Sequence, residues 1–402
     1  MSKWLTIIGM GEDGYEGLSA RARLALNHAE VVIGSQRLLH FLPQHNAETH
    51  EWPQPFSAVI DRIKPLGGRN TVVLATGDPL NYGVARKLME FIAFEEMEII
   101  PHISAFTHAA ARMGWSLPDC DTLTLHGRDA ANIEAFIQPD VRLIVLTADA
   151  TTIPLVAHRL VARGFETSLI TVLENMGGGR ERQSSFSAGQ APQTTFSDLN
   201  TLAIHCKPSR NARIYSRLAG LPEEAFIHDG QLTKREVRAA TLAALSPAPG
   251  QLLWDIGAGC GSVAIEWMRG ARGCEAVAFE ANPGRINMIA ENADRLGTPR
   301  LKIVAGEAPG TLAGQPVADA VFIGGGLGNH GVFETAWEHL RPGGAMVINT
   351  VTIEGELHLC DLQEKYGGDL VRIDISHLAR IGSLRALKPR MAVLQWRAGK
   401  PW

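Results

Sequence analysis

The feature that most constrains this chain is the stretch Leu253-Trp-Asp-Ile-Gly-Ala-Gly-Cys-Gly-Ser-Val-Ala-Ile-Glu266. An apolar run suited to a buried strand passes into Asp255-x-Gly257-x-Gly259-x-Gly261 and then into a helix-forming run. Glycines at that spacing let the backbone turn tightly and approach a ligand closely. The helix start that follows is aimed at an anionic group. A dinucleotide fingerprint would read G-x-G-x-x-G. Here the third glycine falls one place early, at Gly261, and Ser262 stands at the fingerprint position.

That tight G-x-G-x-G resembles the S-adenosylmethionine loop of Rossmann-like methyltransferases, where the anion is the methionine carboxylate. The resemblance implies a cofactor site built on Asp255, Gly257, Ala258, Gly259, Cys260 and Gly261. Glu280 ends the next strand-like run about 20 residues on, where a carboxylate can accept bonds from ribose hydroxyls. Gly306-Glu-Ala-Pro309 follows a further strand-like run, and in such enzymes this is where the adenine rests, so Ala308 joins the set.

At 402 residues the chain has room for two or three domains. Strand-like and helix-like runs alternate throughout, which is an α/β pattern. In the first half, Leu5–Gly9, Val31–Gly34, Thr71–Ala75, Leu143–Leu146 and Leu202–His205 read as strands. Leu18–Ala29, Gly83–Phe94, Ala105–Met113 and Ile153–Ala162 read as helices, and the stretch 183–197, rich in Ser, Thr, Gln, Gly and Pro, ends before the strand Leu202–His205. A polar, basic, aperiodic stretch near 207–228 reads as a linker. Beyond it, Thr233–Leu245 has helical periodicity, with Thr233 and Glu236 spaced as a capping box. Strands are expected at Leu252–Ile256, Ala276–Glu280, Lys302–Ala305, Ala320–Ile323 and Ala345–Asn349. Leu370–Ser376 and Met391–Trp396 suggest an antiparallel hairpin closing a parallel sheet.

The first half lacks D-x-G-x-G. It carries Gly9-Met-Gly-Glu-Asp-Gly14 after its first strand, Ala29-Glu-Val-Val-Ile-Gly34, Thr76-Gly-Asp-Pro-Leu80, and Pro101-His-Ile-Ser-Ala-Phe-Thr107 entering a helix. Asp78 can bind a ligand or cap the following helix. In order and spacing these motifs resemble the tetrapyrrole methylase family over about residues 3–206. That resemblance implies a two-subdomain fold holding S-adenosylmethionine between its halves, with Gly77, Asp78, Leu80, Ser104, Ala105 and Phe106 lining the site. Many members read Pro-Gly-Ile-Ser-Ser where this chain has Pro101-His-Ile-Ser-Ala. From about 225, the text His228-Asp-Gly-Gln-Leu-Thr-Lys-Arg-Glu-Val-Arg238, Gly306-Glu-Ala-Pro309 and Phe322-Ile-Gly-Gly-Gly326 resembles the C15-methylating, decarboxylating enzymes of corrin synthesis.

Together these resemblances imply a tetrapyrrole methylase-like domain over 1–208, acting at C5. A Rossmann-like methyltransferase domain with a closing antiparallel hairpin follows over 225–402, acting at C15 and in decarboxylation. They imply one S-adenosylmethionine per domain, a precorrin substrate with or without cobalt, and no catalytic metal. They place Thr233 beside the methionine end of the cofactor, and they are compatible with a homo-oligomer. Asp229 and His330, each beside a glycine in a loop near the motifs, are candidates for proton management. The substrate's carboxylates call for basic partners. Arg210, Arg213, Arg217, Lys234, Arg235, Arg238, Arg380, Arg385, Lys388 and Arg390 are candidates.

Composition narrows the alternatives. With 38 basic and 42 acidic residues the chain lacks the basic excess of a duplex-DNA binder. The Asn/Asp-Pro-Pro-aromatic motif of base amino-methylases is missing, with Ile323-Gly-Gly-Gly in its place. A sensor that binds the cofactor without turnover is the other rival. Five scattered cysteines without a C-x-x-C pair suit a reducing cytoplasm. The short apolar run in MSKWLTIIGMGEDG does not suit a signal peptide. The uncharged stretch between Arg238 and Asp255 is broken by Pro247, Pro249 and Gly250, so no membrane span is expected.

Overall fold

The computed structural model describes residues 3–53, 58–190, 192 and 194–402. The chain divides into two compact units, Met1–Ala130 with Gln138–Arg213, and Ala131–Ile137 with Ile214–Trp402.

The first unit carries two five-stranded sheets. One contains β1 (Leu5–Met10), β2 (Val31–Gly34), β3 (Glu48–Glu51), β4 (Thr71–Thr76) and β5 (Met97–Ile100), all parallel, in the order β3-β2-β4-β1-β5. Its central strands read as unbroken apolar runs because both faces are covered: Ile7 and Val73 pack on one side, Ile8 and Leu74 on the other. The other sheet contains β6 (Cys120–Thr124), β7 (Arg142–Leu146), β8 (Leu169–Glu174), β9 (Arg182–Ser187) and β10 (Asn200–His205), in the order β6-β7-β10-β8-β9. Only β6 and β7 pair in parallel. The Ser/Thr/Gln-rich stretch 183–197, of which 191 and 193 lie outside the described residues, opens with β9. Arg182–Ser187 is an edge strand whose single apolar residue, Phe186, left no alternation to read.

The second unit is built on a seven-stranded sheet of β11 (Leu252–Ile256), β12 (Glu275–Glu280), β13 (Lys302–Ala305), β14 (Ala318–Ile323), β15 (Leu340–Thr350), β16 (Asp369–Ile373) and β19 (Val393–Gly399). The order is β13-β12-β11-β14-β15-β19-β16, with β19 antiparallel to both of its neighbours. The closing antiparallel pair is present. A two-stranded ribbon, β17 (Ser376–Ile381) and β18 (Leu384–Pro389), is inserted between its strands. Trp254, Trp267 and Trp396 are fully buried in the two cores flanking the sheet.

Three local readings are corrected. The helix expected over Gly83–Phe94 is regular only at Ala85–Leu88, because the bonds from Glu90 to Lys87 and from Phe91 to Leu88 shorten to the three-residue kind. The capping box does not form: Lys234 is the N-cap, the helix runs Arg235–Leu245, and no side chain caps it. Thr233 therefore sits one residue outside the helix, and its carbonyl accepts from Arg238 Nη1. The stretch 207–228 is not a solvated linker throughout. Tyr215, Leu221, Ala225 and Phe226 are buried in the second unit's core.

Among the described residues, no helix is long and apolar enough to cross a membrane.

Candidate functional site

The order of the second unit's seven-stranded sheet reverses between β11 and β14, and the chains leaving these strands are both glycine-rich. A crevice at such a switch point, outside the carboxyl ends of the strands, is where open α/β sheets take ligands. Gly257 has φ +71°, and a Cβ added there would lie 2.8 Å from Gly325 Cα. The two loops touch backbone to backbone, which only glycine at 257 permits.

A cleft of about 1020 Å³ opens here. That volume is at the upper end of the range for small-molecule sites. Of the residues expected to hold a cofactor, Thr233, Gly257, Ala258, Gly259, Glu280 and Ala308 line it. Glu280, nearly buried, accepts from Gly259 N at 2.7 Å and from Asn282 N at 2.9 Å, one bond on each oxygen. Each oxygen has a second lone pair, so capacity for further donors remains.

Asp255, Cys260 and Gly261 do not line the cleft; they lie beneath it. Asp255 is 1% exposed. Its Oδ2 accepts from Ala264 N at 3.0 Å, at the start of the helix Ser262–Gly270, while Oδ1 has no partner among the described residues. Burial pushes its carboxyl up to about 7, helped by the Glu280 charge and opposed by the Ala264 bond. Cys260 is buried, and burial raises its thiol above the ordinary range. Its carbonyl accepts from Asn292 Nδ2 at 3.0 Å. Asn292, fully buried, also grips Ile227 through both backbone groups, at 2.7 and 2.9 Å. One amide thus ties the glycine loop to the segment before Thr233. As an ordinary polar residue on a helix, it gave no sequence signal.

The two candidates for proton management are outside the lining. Asp229 is exposed, ion-paired to Arg285 at 2.8 Å and bonded to Gln231 N, and the Arg285 guanidinium holds its carboxyl below the usual range. His330 is exposed on the loop after β14. The wall instead presents Glu354 and His358, four residues apart on the helix Ile353–Tyr366, together with Asn349, Thr350 and Thr352. Asn349 belongs to a network beneath the cleft floor: it donates to Thr241 Oγ1 at 2.8 Å and accepts from Gln395 Nε2 at 2.9 Å.

In the first unit, Gly9, Gly77 and the 102–105 segment converge. A Cβ on Gly9 would fall 2.1 Å from Gly77 O and 2.6 Å from His102 N. Gly77, at φ +62°, faces Ile103 O, Ser104 Cα and Ala105 N. Asp78 does not cap a helix; its Oδ1 accepts from Leu80 N at 2.9 Å, closing a local turn. Leu80 is 54% exposed. Ser104 caps the helix Ala105–Met113 through Thr107 N at 3.2 Å. Phe106 is a core residue, packed with Ala109, Ile144 and Leu173. His102, the departure from the family pattern, is satisfied locally: Nδ1 accepts from Ile103 N at 2.8 Å, and Nε2 lies 3.5 Å from Asp13 Oδ1.

A parallel sheet with an antiparallel seventh strand, a D-x-G-x-G-x-G turn after its first strand and an acid at the end of its second defines a Rossmann-like methyltransferase domain. Comparison with known proteins extends this to the whole chain. Residues 224–400 match the precorrin methyltransferase domain, and residues 4–191 match the tetrapyrrole (corrin/porphyrin) methylases. The precorrin-6Y C5,15-methyltransferase (decarboxylating) of a Sinorhizobium species is 42% identical over 98% of this chain and 96% of its own. That of Mycobacterium tuberculosis is 36% identical over 98% of this chain and 100% of its own. The crystal structure of the C-terminal domain of the Rhodobacter capsulatus precorrin-6Y C5,15-methyltransferase is 45% identical, with a TM-score of 0.44, covering 46% of this chain and all of that domain. The chain belongs to the precorrin-6Y C5,15-methyltransferase (decarboxylating) family.

Proposed function

We propose that the chain transfers methyl groups from S-adenosylmethionine to C5 and C15 of a precorrin and removes carbon dioxide from the ring C acetate arm. This is a step of cobalamin biosynthesis, giving precorrin-8. The observation that carries the reading is the match, across both units, to relatives bearing that activity in their names. In this reading the first unit acts at C5 and the second at C15 and in the decarboxylation, each with its own cofactor. We place the work in the cytoplasm, on a small-molecule tetrapyrrole rather than on nucleic acid or a membrane, a setting compatible with a homo-oligomer. The near balance of charge and the five free cysteines support that setting.

The second unit's residues fit the cofactor. Gly257, Ala258 and Gly259, with Asp255, Cys260 and Gly261 behind them, would hold its amino-acid end beside Thr233. Glu280 would take the ribose hydroxyls, and Ala308 would flank the adenine. Gly77, Asp78, Leu80, Ser104 and Ala105 would play the corresponding part in the first unit, with Phe106 supporting from the core. When bound, S-adenosylmethionine supplies a methyl group on an already activated sulfonium. A ring carbon supplies the electron pair, so no side-chain nucleophile is required, and the chain's task is to hold the partners in line and exclude water. Decarboxylation leaves its electron pair in the conjugated macrocycle and needs one proton returned to the arm carbon. Glu354 and His358, a carboxyl and an imidazole on one helix of the cleft wall, would serve that transfer.

Incubating the full chain with S-adenosylmethionine and precorrin-6B is expected to give a product with two added methyl groups and one carbon dioxide lost, read by mass spectrometry. Conversion of only the cobalt-containing substrate would move the activity to the cobalt route. No methyl transfer to either would overturn the reading.

The unpartnered Asp255 oxygen adds a pH dependence. A bound ammonium or sulfonium favours the ionised carboxylate, and a group poised near 7 must lose its proton to provide it. Cofactor affinity at the second unit is therefore expected to weaken about tenfold per pH unit below about 7. Calorimetry between about pH 6 and 8 should show proton release in the native chain and a flat, weaker profile in Asp255→Asn. Equal pH profiles in the two proteins would remove Asp255 from the site.

A further inference from the structure

We infer that Lys234 and Arg390, held on the two oxygens of Glu223, form a carboxylate-binding pair at the mouth of the second unit's cleft. This rests on the proposed tetrapyrrole substrate and names the part of the chain that reads its acidic arms. Lys234 Nζ lies 3.1 Å from Glu223 Oε2, and Arg390 Nη1 lies 3.2 Å from Oε1. The three residues come from a short turn, a helix N-cap and the exit of β18, so only the folded unit assembles them. Arg390 is fixed further by its backbone N, which donates to Ile375 O at 2.9 Å. Both cations line the same cleft as Gly257–Gly259.

Two cations share one carboxylate, so a net positive charge remains. An ammonium has three donors and a guanidinium five. One of each is used on Glu223, and the others have no partner among the described residues. Burial pushes the Glu223 carboxyl up, but the Lys234 and Arg390 charges outweigh this and keep it below the usual range, so it stays ionised between them. The side chains of Lys234, Arg390 and Glu223 are 33%, 36% and 22% exposed, half-desolvated and restrained before a ligand arrives. Preorganisation of this kind lowers the cost of binding.

The other cations named from the sequence are engaged or elsewhere. Arg238 is buried against Glu266, Arg235 donates to Gly220 O, and Arg380, Arg385 and Lys388 sit on the exposed ribbon β17–β18. Arg285 lines the cleft but is taken by Asp229 and Gln231. Glu223 acts as a positioning residue for the pair.

The test is steady-state C15 methylation by the full chain at saturating S-adenosylmethionine, with the tetrapyrrole varied. Lys234→Gln and Arg390→Gln are each expected to raise KM about tenfold, the size of a lost charge-assisted hydrogen bond, with a much smaller change in kcat. Lys234→Arg should recover most of the loss. Wild-type KM should rise with salt, and the double variant's should rise less. A double variant with KM within about twofold of wild type and the same salt dependence would overturn the pair. If the wild type turns over no precorrin, the proposed function fails separately. The pair is then judged by fluorescence titration with uroporphyrin, an octacarboxylate probe, where an unchanged Kd in the double variant counts against it and a weakened one supports it.

Discussion

Gly257→Val is expected to abolish methyl transfer and decarboxylation by the second unit and, on the proposed one cofactor per unit, to halve the number of cofactor molecules bound per chain. The residue has φ +71°, and its added Cβ would meet Gly325 Cα and N at 2.8 Å. The left-handed backbone alone costs a side chain roughly 1–2 kcal/mol. The overlap is with backbone, which has no flexible end to swing aside, so the loops after β11 and β14 must part. Displacing a positioning element by about 1 Å can cost 100-fold in rate, and this one forms the cradle itself. Gly259→Ala is the internal control. Its φ of +61° is also strained, but the added Cβ would meet only Gln231 O, at 3.5 Å, so the loss should be smaller. Calorimetric stoichiometry and the mass of the product read both variants. The assignment of the cradle would not survive a Gly257→Val chain that binds and decarboxylates like wild type, nor an order of effects in which Gly259→Ala is the worse.

Arg238→Ala is expected to destabilise the second unit by about 3–5 kcal/mol, the usual consequence of removing one partner of a buried ion pair. The Arg238 and Glu266 side chains are 0% and 2% exposed, with Nε 2.7 Å from Oε1. Arg238 also donates to the carbonyls of Thr233 and Leu221 and lies over the Phe226 ring. Glu266 accepts from Gly220 N at 2.6 Å and Leu221 N at 2.9 Å. The pair therefore supplies backbone partners to an irregular stretch that has no sheet or helix to satisfy it. Without the guanidinium, Glu266 is left buried and Thr233 loses its anchor, so cofactor affinity should fall along with stability. Hydrogen exchange in the full chain should show loss of protection centred on 220–238 and the helix Ser262–Gly270. A change under about 1 kcal/mol would mean that the pair is incidental to the fold.

The strands of both parallel sheets were legible because burial on two faces makes them continuous apolar runs, as in Leu5–Met10 and Ala318–Ile323. The ribbon β17–β18 was not. Leu378 and Leu387 stand on one face, Ile381 and Leu384 on the other, and all are 66–74% exposed. With no face turned to a core, its pattern carries no inside and outside to read. Thr233 and Glu236 have capping-box spacing, yet the helix begins one residue later, because Arg238 holds the Thr233 carbonyl. Asp229 and His330 were reasonable candidates by their loop positions, and a loop position does not say which way a side chain faces.

What the amino-acid sequence by itself determined is the chemistry encoded locally in backbone conformation: three glycines at positive φ after a buried strand, an acid at the end of the next, and the Gly77-Asp78-Pro79 turn. Those signals lie within a few residues of one another and need no partner to be recognised. The tertiary structure alone decided which distant side chains share a surface. It brought Glu223, Lys234 and Arg390 together across 167 residues, put Asn349 and His358 on the cleft wall, and sealed Arg238 against Glu266. Long-range pairing of this kind follows from how sheets and helices pack. One-dimensional spacing carries no record of it.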